Sequence, residues 1–272
     1  MASNLLTEGV EDILRPVFDA VDDELLVVDP SEETVETLVG VATSAEMDLP
    51  TIRVVGDDAV VKYVMDDFIV ASNAADLVDE GVLSLRVTEE DVGNSLLITS
   101  DAIRALVRAG DSVAALTTDD EAFIEAAFEW YRDRWASAPE YTLRTPPLSL
   151  VRETLEAEIG AETRRDFEAV LDSLETARGD GDGLDEVTIS LLVAARNEVL
   201  LYDISKWGED VGIASKATFS RTKTRLEDLG LIDTEKVPID VGRPRLRLKL
   251  GDERLWDASI EELGERAAEL LD

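Results

Sequence analysis

The run Ser215 to Gly230, "SKATFSRTKTRLEDLG", gathers cations and hydroxyls on what its periodicity predicts to be one helix, with Ser215 as N-cap. Phe219, Thr222, Leu226 and Leu229 keep i, i+3, i+7, i+10 spacing and are expected to face inward. Lys216, Ala217, Ser220, Arg221 and Thr224 then face out near the N-terminal end. Arginine and lysine donate to guanine O6 and N7, hydroxyls bond base edges or phosphates, and an alanine methyl packs on a thymine methyl. The outward set, with Ser215, therefore suits contact with double-stranded DNA. Other chemistry is narrowed, leaving a carboxylate-pair hydrolase as the formal alternative among 61 acids. It has no histidine and no cysteine, which removes the commonest general base and metal ligand, any thiolate nucleophile and any disulfide. No catalytic residue, cofactor or metal site is expected. "RGDGDGLDE" fails as a calcium loop, because Arg178 and Ile189 fall where carboxylates are needed.

The neighbouring elements must aim that helix. "LDEVTISLLVAARNEV" reads as a packing helix, and "YDISKWGEDVGI" as a short helix ending at Gly212. Two helices joined by a glycine turn describe a helix-turn-helix. "LIDTEKV" and "PRLRLKL" follow as a hairpin with Asp240 and Gly242 near its turn. Leu246, Leu248 and Leu250 alternate with Arg245, Arg247 and Lys249, so leucines meet the core and cations the other side. Such a hairpin is a wing. Arg243 sits at its tip and, with Arg245 and Arg247, completes the expected DNA contacts. The last helix aligns Ile260, Leu263, Ala267 and Leu270, and a homodimer would match a two-fold DNA site.

Charge follows the same division. The chain carries 26 Lys plus Arg against 61 Asp plus Glu, a formal charge of −35. The window Lys206 to Lys249 is nonetheless net +3 and holds five of the six lysines. Six lysines against twenty arginines, beneath an acidic surface, suit a cytoplasm at molar salt and point to a halophilic archaeon. A hydrophobic fraction of 45% is ordinary for a globular protein. Neither a signal-like N-terminus nor a membrane-length apolar run is visible, so a cytoplasmic protein is expected.

Residues 1–145 alternate strands and helices, which predicts an open, largely parallel α/β sheet. "AIRALVRAG" is read within it as a short helix closed by Gly110. Ligands of such sheets bind beyond the strand ends. Asp29, Ser31, Asp57, Ser100 and Thr117 lie there and suit a polyol such as a sugar, although capping of helices and turns explains each of them as well. Pro146-Pro147 opens a helical linker over 146–183, and the winged domain occupies 184–272.

"SKATFSRTKTRLEDLGLI" resembles the recognition helix and following strand of archaeal and bacterial winged helix-turn-helix regulators. The whole chain, α/β domain first and winged helix last, resembles the haloarchaeal TbsP family of transcriptional regulators, which is linked to the sugar-metabolism regulator TrmB. The local resemblance implies DNA binding and the full-length one control of central carbon metabolism genes, while the strand-end hydroxyls and carboxylates suit a sugar or sugar-derived effector. Sugar-sensing relatives can carry a phospholipase D-like fold, whose chemistry needs the histidine this chain lacks. One departure is Lys223, four residues after Phe219, where related helices place an apolar residue. A winged helix that mediates protein contacts without touching DNA is the competing reading.

Overall fold

The structure is a computed structural model that describes residues 5–21, 23–45, 48–89, 93–110, 112–178, 184–239 and 244–271. It divides into two compact units, Met1–Met65 with Asn73–Leu143, and Asp66–Ser72 with Arg144–Asp272.

The first unit contains β1 (Leu5–Thr7), α1 (Glu11–Ala20), β2 (Glu24–Val28), α2 (Glu32–Thr43), β3 (Thr51–Asp57), α3 (Asp58–Val64) and β4 (Leu83–Thr88). After these come β5 (Leu96–Ile98), β6 (Ile103–Ala109), β7 (Ser112–Thr118) and α5 (Glu121–Ser137). Helix α4 (Phe68–Asp79) begins in the stretch assigned to the second unit. Among the described residues the strands form one seven-stranded sheet in the order β1-β7-β6-β5-β2-β3-β4. The α/β class stands, but the sheet is mixed. Only β2, β3 and β4 pair in parallel, and every other pairing is antiparallel.

The departure begins at "AIRALVRAG", which is strand β6 rather than a helix. Ala109 pairs with Ser112, and Gly110 has φ +61, as the first residue of a primed hairpin turn requires. A glycine with positive φ closes a helix or a hairpin equally well, and Ile103-Arg104-Ala105-Leu106-Val107-Arg108 fits either period. Pairing with β5 and β7 decides in favour of the strand.

Helix α5 lies on the sheet face that carries Leu26, Val28, Val55, Ile98 and Ile103, with Ile124 as its buried anchor. Trp135 on this helix is stacked by Arg53 and Arg86, 4.6 and 4.2 Å from its ring centroid. Arg86 also donates to the carbonyls of Ala136 and Ala138 at the helix end, at 2.6 and 3.0 Å. Farther along that face the cover stops. Strand pairing puts Leu6, Ala105, Val107, Ala114 and Leu116 on the same side as Ile103. Leu6, Val107 and Leu116 are 74%, 47% and 48% exposed.

The second unit is helical with a small hairpin: α6 (Leu148–Glu158), α7 (Ala161–Ser173), α8 (Glu186–Arg196), α9 (Leu201–Val211), α10 (Lys216–Asp228), β8 (Ile232–Val237), β9 (Arg245–Leu250), α11 (Glu253–Trp256) and α12 (Ile260–Leu271). Residues 148–173, expected within a linker, form two helices of this unit's core. Val151, Leu155 and Phe167 share one cluster with Trp207 and Phe219. Trp207 is fully buried, donates from Nε1 to Thr154 Oγ1 at 3.0 Å and meets Phe167 edge-on at 6.4 Å. Leu263 and Ala267 of α12 are buried against α7 of the same chain, so this stripe is spent internally. Buried Asp67 accepts from the N–H groups of Ile69, Val70 and Ala177 and from the Thr176 hydroxyl, which ties residues 66–72 to the segment before α8.

Candidate nucleic-acid interface

The helix-turn-helix is α9, a turn at Gly212 and α10. Gly212 has φ +93, a left-handed conformation that side-chain-bearing residues rarely adopt. The Ser215 hydroxyl then accepts from the Thr218 N–H at 3.2 Å and caps α10. The crossing is close because Gly208 of α9 lies against Phe219 of α10. A Cβ at 208 would stand 2.4 Å from two ring carbons of Phe219. Phe219 and Leu226 are fully buried, as their spacing predicts. Leu229, expected inward, is 49% exposed, because the helix ends at Asp228 and the chain turns away at Gly230, φ +76. The place four residues after Phe219 does face inward. Lys223 fills it with a side chain only 12% exposed and pairs with Glu227 at 2.6 Å. Glu227 in turn accepts from the Thr234 hydroxyl of β8 at 2.8 Å, so an ion pair joins the helix to the hairpin where an apolar contact is usual.

The outward set is brought together. Ala217, Ser220, Arg221 and Thr224 are all exposed on one face of α10, with Ser215 at its head and Lys216 half-buried beside it. Thr224 donates back to the Ser220 carbonyl at 3.0 Å. Arg221 reaches only the Thr218 hydroxyl, at 3.4 Å, and has no carboxylate partner among the described residues. Arg243, Asp240 and Gly242 lie outside the described residues.

The hairpin keeps its period of two. Leu248 and Leu250 are buried, and Arg245, Arg247 and Lys249 share the other face. That face also receives Asp233, Glu235 and Val237 from β8 by strand register. Leu248 N–H donates to the Val199 carbonyl at 2.9 Å, which lays the α8–α9 connection beside β9. Arg247 consequently lies 3.8 Å from Glu198, Lys249 lies 2.7 Å from Glu235, and Arg245 lies 3.2 Å from Asp203 while stacking on Tyr202 at 4.4 Å. Lys216 at the head of α10 is held by Glu209, which accepts from its N–H at 3.2 Å and its Nζ at 2.6 Å. Those contacts hold the Glu209 carboxyl below the usual carboxylate range and push the Lys216 ammonium up. Lys206 pairs with Asp210 and lies 3.8 Å from Glu158.

These carboxylates are what sequence reasoning missed. Lys206 and Asp210 show the i, i+4 signature of a helix pair. Glu209 with Lys216, and Asp203 with Arg245, become neighbours only once the turn and the hairpin fold, so no local spacing announces them.

The strand-end residues of the first unit do not form one site. Asp29, Ser31 and Asp57 follow β2 and β3, whereas Ser100 and Thr117 lie at the ends of β5 and β7, which run the opposite way. The two groups therefore occupy opposite ends of the sheet. Ser31 accepts from the Thr34 N–H at 3.3 Å, and Asp57 accepts from those of Ala59 and Val60 at 2.8 and 3.2 Å, so both cap helices. Ser100 lines a cavity of about 650 Å³ with Asp101, Asp119, Glu125, Phe128 and Arg132.

Three helices around one core, a glycine turn and a paired hairpin after the third helix define a winged helix-turn-helix, the class of domain that transcription regulators use. The comparisons agree with it. Residues 2–146 match the model "Transcriptional regulator TbsP-like, N-terminal", and residues 147–268 match "Transcriptional regulator TbsP-like, C-terminal HTH domain". The chain belongs to the TbsP-like family of transcriptional regulators. No curated protein matches it. Among solved structures, TrmBL2, described as an archaeal chromatin protein with a novel mode of DNA binding, is 13% identical with a TM-score of 0.37, over 51% of this chain and 54% of its own. The chain thus spans about half the length of TrmBL2. Nuc from Salmonella typhimurium, a phospholipase D family member, is 13% identical with a TM-score of 0.36, over 52% of this chain and 99% of its own. Both likenesses are too slight to carry an argument about fold or function.

Proposed function

We propose that the second unit binds promoter DNA sequence-specifically, with the exposed face of α10 in the major groove and the hairpin on the backbone. One observation carries the reading: Ala217, Ser220, Arg221 and Thr224 form a contiguous exposed face on a capped second helix, and Arg221 is not engaged by a carboxylate among the described residues. A charge of −35 with six lysines and twenty arginines supports a halophilic, archaeal cytoplasm as the setting. At about 1 M salt the Debye length is near 3 Å, so the acidic surface does not repel DNA at a distance and counterion release contributes little. Binding then rests on direct hydrogen bonds and apolar contact. In a KCl titration, selective binding should persist to molar salt, and its complete loss well below 1 M sinks the reading.

The regulated genes are those of central carbon and sugar metabolism, and the first unit senses a small metabolite. The cavity beside Ser100 supports an uncharged polyol, because Asp101, Asp119 and Glu125 at its walls oppose a phosphorylated ligand. Mapping the protein on chromosomal DNA with and without sugar tests this. Occupancy that ignores sugar, or sites away from such genes, counts against it.

The active form is a homodimer. Its supporting surface is the bare part of the sheet, Leu6, Val107, Ala114 and Leu116, a strip without one charged side chain in a protein where 32% of residues are charged. An acidic chain associates with its own copy most readily where it bears no charge.

A second reading, a winged helix that binds a protein and not DNA, is favoured by the pairing of Lys216, Arg245, Arg247 and Lys249 with carboxylates. Replacing Arg221 with alanine separates the two readings. Lost promoter binding with folding intact supports DNA.

A further inference from the structure

The exposed side of α9 carries Tyr202, Asp203, Lys206, Glu209 and Asp210, and it runs from the loop end of the hairpin, where Arg245 pairs with Val237, to the head of α10. Arg245 comes from one end, stacking on Tyr202 and pairing with Asp203. Lys216 comes from the other and pairs with Glu209, while Lys206 in the middle pairs with Asp210. Three cations are matched by three carboxylates along this stripe. Glu209 stands where a phosphate stands on a helix N-terminus, taking the first backbone N–H of α10 and the ammonium beside it. Arg221, one turn further along α10, has no such counter-charge among the described residues.

Charge is cancelled on Arg245, Lys206 and Lys216 and left open on Arg221 among the described residues. We propose that Asp203 and Glu209 are specificity determinants of the DNA face. By holding Arg245 and Lys216 they withhold two cations from phosphates, so that affinity depends on the base contacts of α10. The proposal rests on the DNA-binding reading. A positioning role makes the opposite prediction: if the carboxylates only aimed the cations at phosphates, removing them would weaken every complex.

The test uses the full chain. Wild type first selects duplexes from a random pool at 1 M KCl. Wild type, Glu209→Gln, Asp203→Asn and the double variant are then titrated, from 0.1 to 1 M KCl, with the selected duplex and with a random-sequence duplex. An exposed ion pair is weak, so random-duplex affinity should rise about two- to five-fold per carboxylate at low salt. The slope of log affinity against log salt should steepen by about 0.9 for each cation freed. Affinity for the selected duplex should rise less, so the ratio of the two falls. Glu261→Gln on α12, an exposed carboxylate elsewhere, should leave slope and ratio unchanged. The proposal is overturned if the variants bind random duplex no more tightly than wild type, or if Glu261→Gln acts as strongly. If wild type selects no sequence at all, the DNA reading itself has failed and this inference falls with it. Circular dichroism of each variant confirms that the amide substitutions leave the fold intact.

Discussion

Replacing Gly208 with alanine should distort the helix-turn-helix. The new Cβ would lie 2.4 Å from Cε2 and Cζ of Phe219. Carbon atoms in contact sit about 3.5 to 4.0 Å apart, so at least roughly 1 Å of overlap must be relieved. The ring cannot retreat, because Phe219 is fully buried among helices of the same core. Either α9 and α10 separate or the ring leaves its rotamer, and overpacking of this kind costs about 1 to 3 kcal/mol. Phe219→Leu alone should cost about 1 to 2 kcal/mol through lost apolar burial. If the clash is the cause, the double variant will cost at least ~1 kcal/mol less than the two singles summed. Hydrogen exchange of α9 and α10 peptides in denaturant, on the full chain, reads each value. A stable Gly208→Ala protein, or strict additivity, refutes the close approach described here.

Other consequences are as direct. Burial first, then Asp185, Asp66 and Asp67, raise the Glu186 carboxyl from 4.5 to about 7, against the opposing effect of its backbone hydrogen bond. The folded state therefore binds a proton that the unfolded state releases. Stability of the second unit should be greatest below pH 4.5 as far as this group is concerned and should fall as pH rises to 7, by about 2 kcal/mol after allowance for its partial exposure. Glu186→Gln should flatten that slope in denaturation midpoints measured at pH 5 and 8, and an unchanged slope contradicts the assignment. Trp207→Phe removes the bond to Thr154 and leaves a buried gap, so unfolding of α6 and α9 should weaken together by about 1 to 3 kcal/mol. If only α9 peptides lose exchange protection, the two helices do not share a core. Leu116→Glu should convert a dimer to a monomer by light scattering at molar KCl. A dimer that survives moves the interface elsewhere.

The recognition segment was legible because local signals fix it. Ser215 caps through its own side chain, Gly212 supplies the left-handed turn, and Phe219 and Leu226 keep the helical period. The alternation of β9 likewise announces its two faces. Where a residue's partner is remote, the sequence is silent or misleads. β6 reads as a helix until β5 and β7 flank it. Helices α6 and α7 declare their role only when Trp207 and Phe219 arrive from later in the chain. Lys223 looks misplaced until Glu227 and Thr234 are seen beside it. The ligand set failed for a topological reason, since strand direction, and hence which end of the sheet a residue occupies, is not written in the strands themselves.

The most direct test of the central claim is fluorescence anisotropy, at 1 M KCl, on a duplex that the wild-type chain has selected from a random pool. Arg221→Ala should weaken binding about five- to 150-fold, the worth of one base-reading arginine, with the unfolding midpoint unchanged. Arg266→Ala, which removes an exposed cation of α12, should bind like wild type. Equal affinity for Arg221→Ala and wild type would contradict the claim that the outward face of α10 reads DNA.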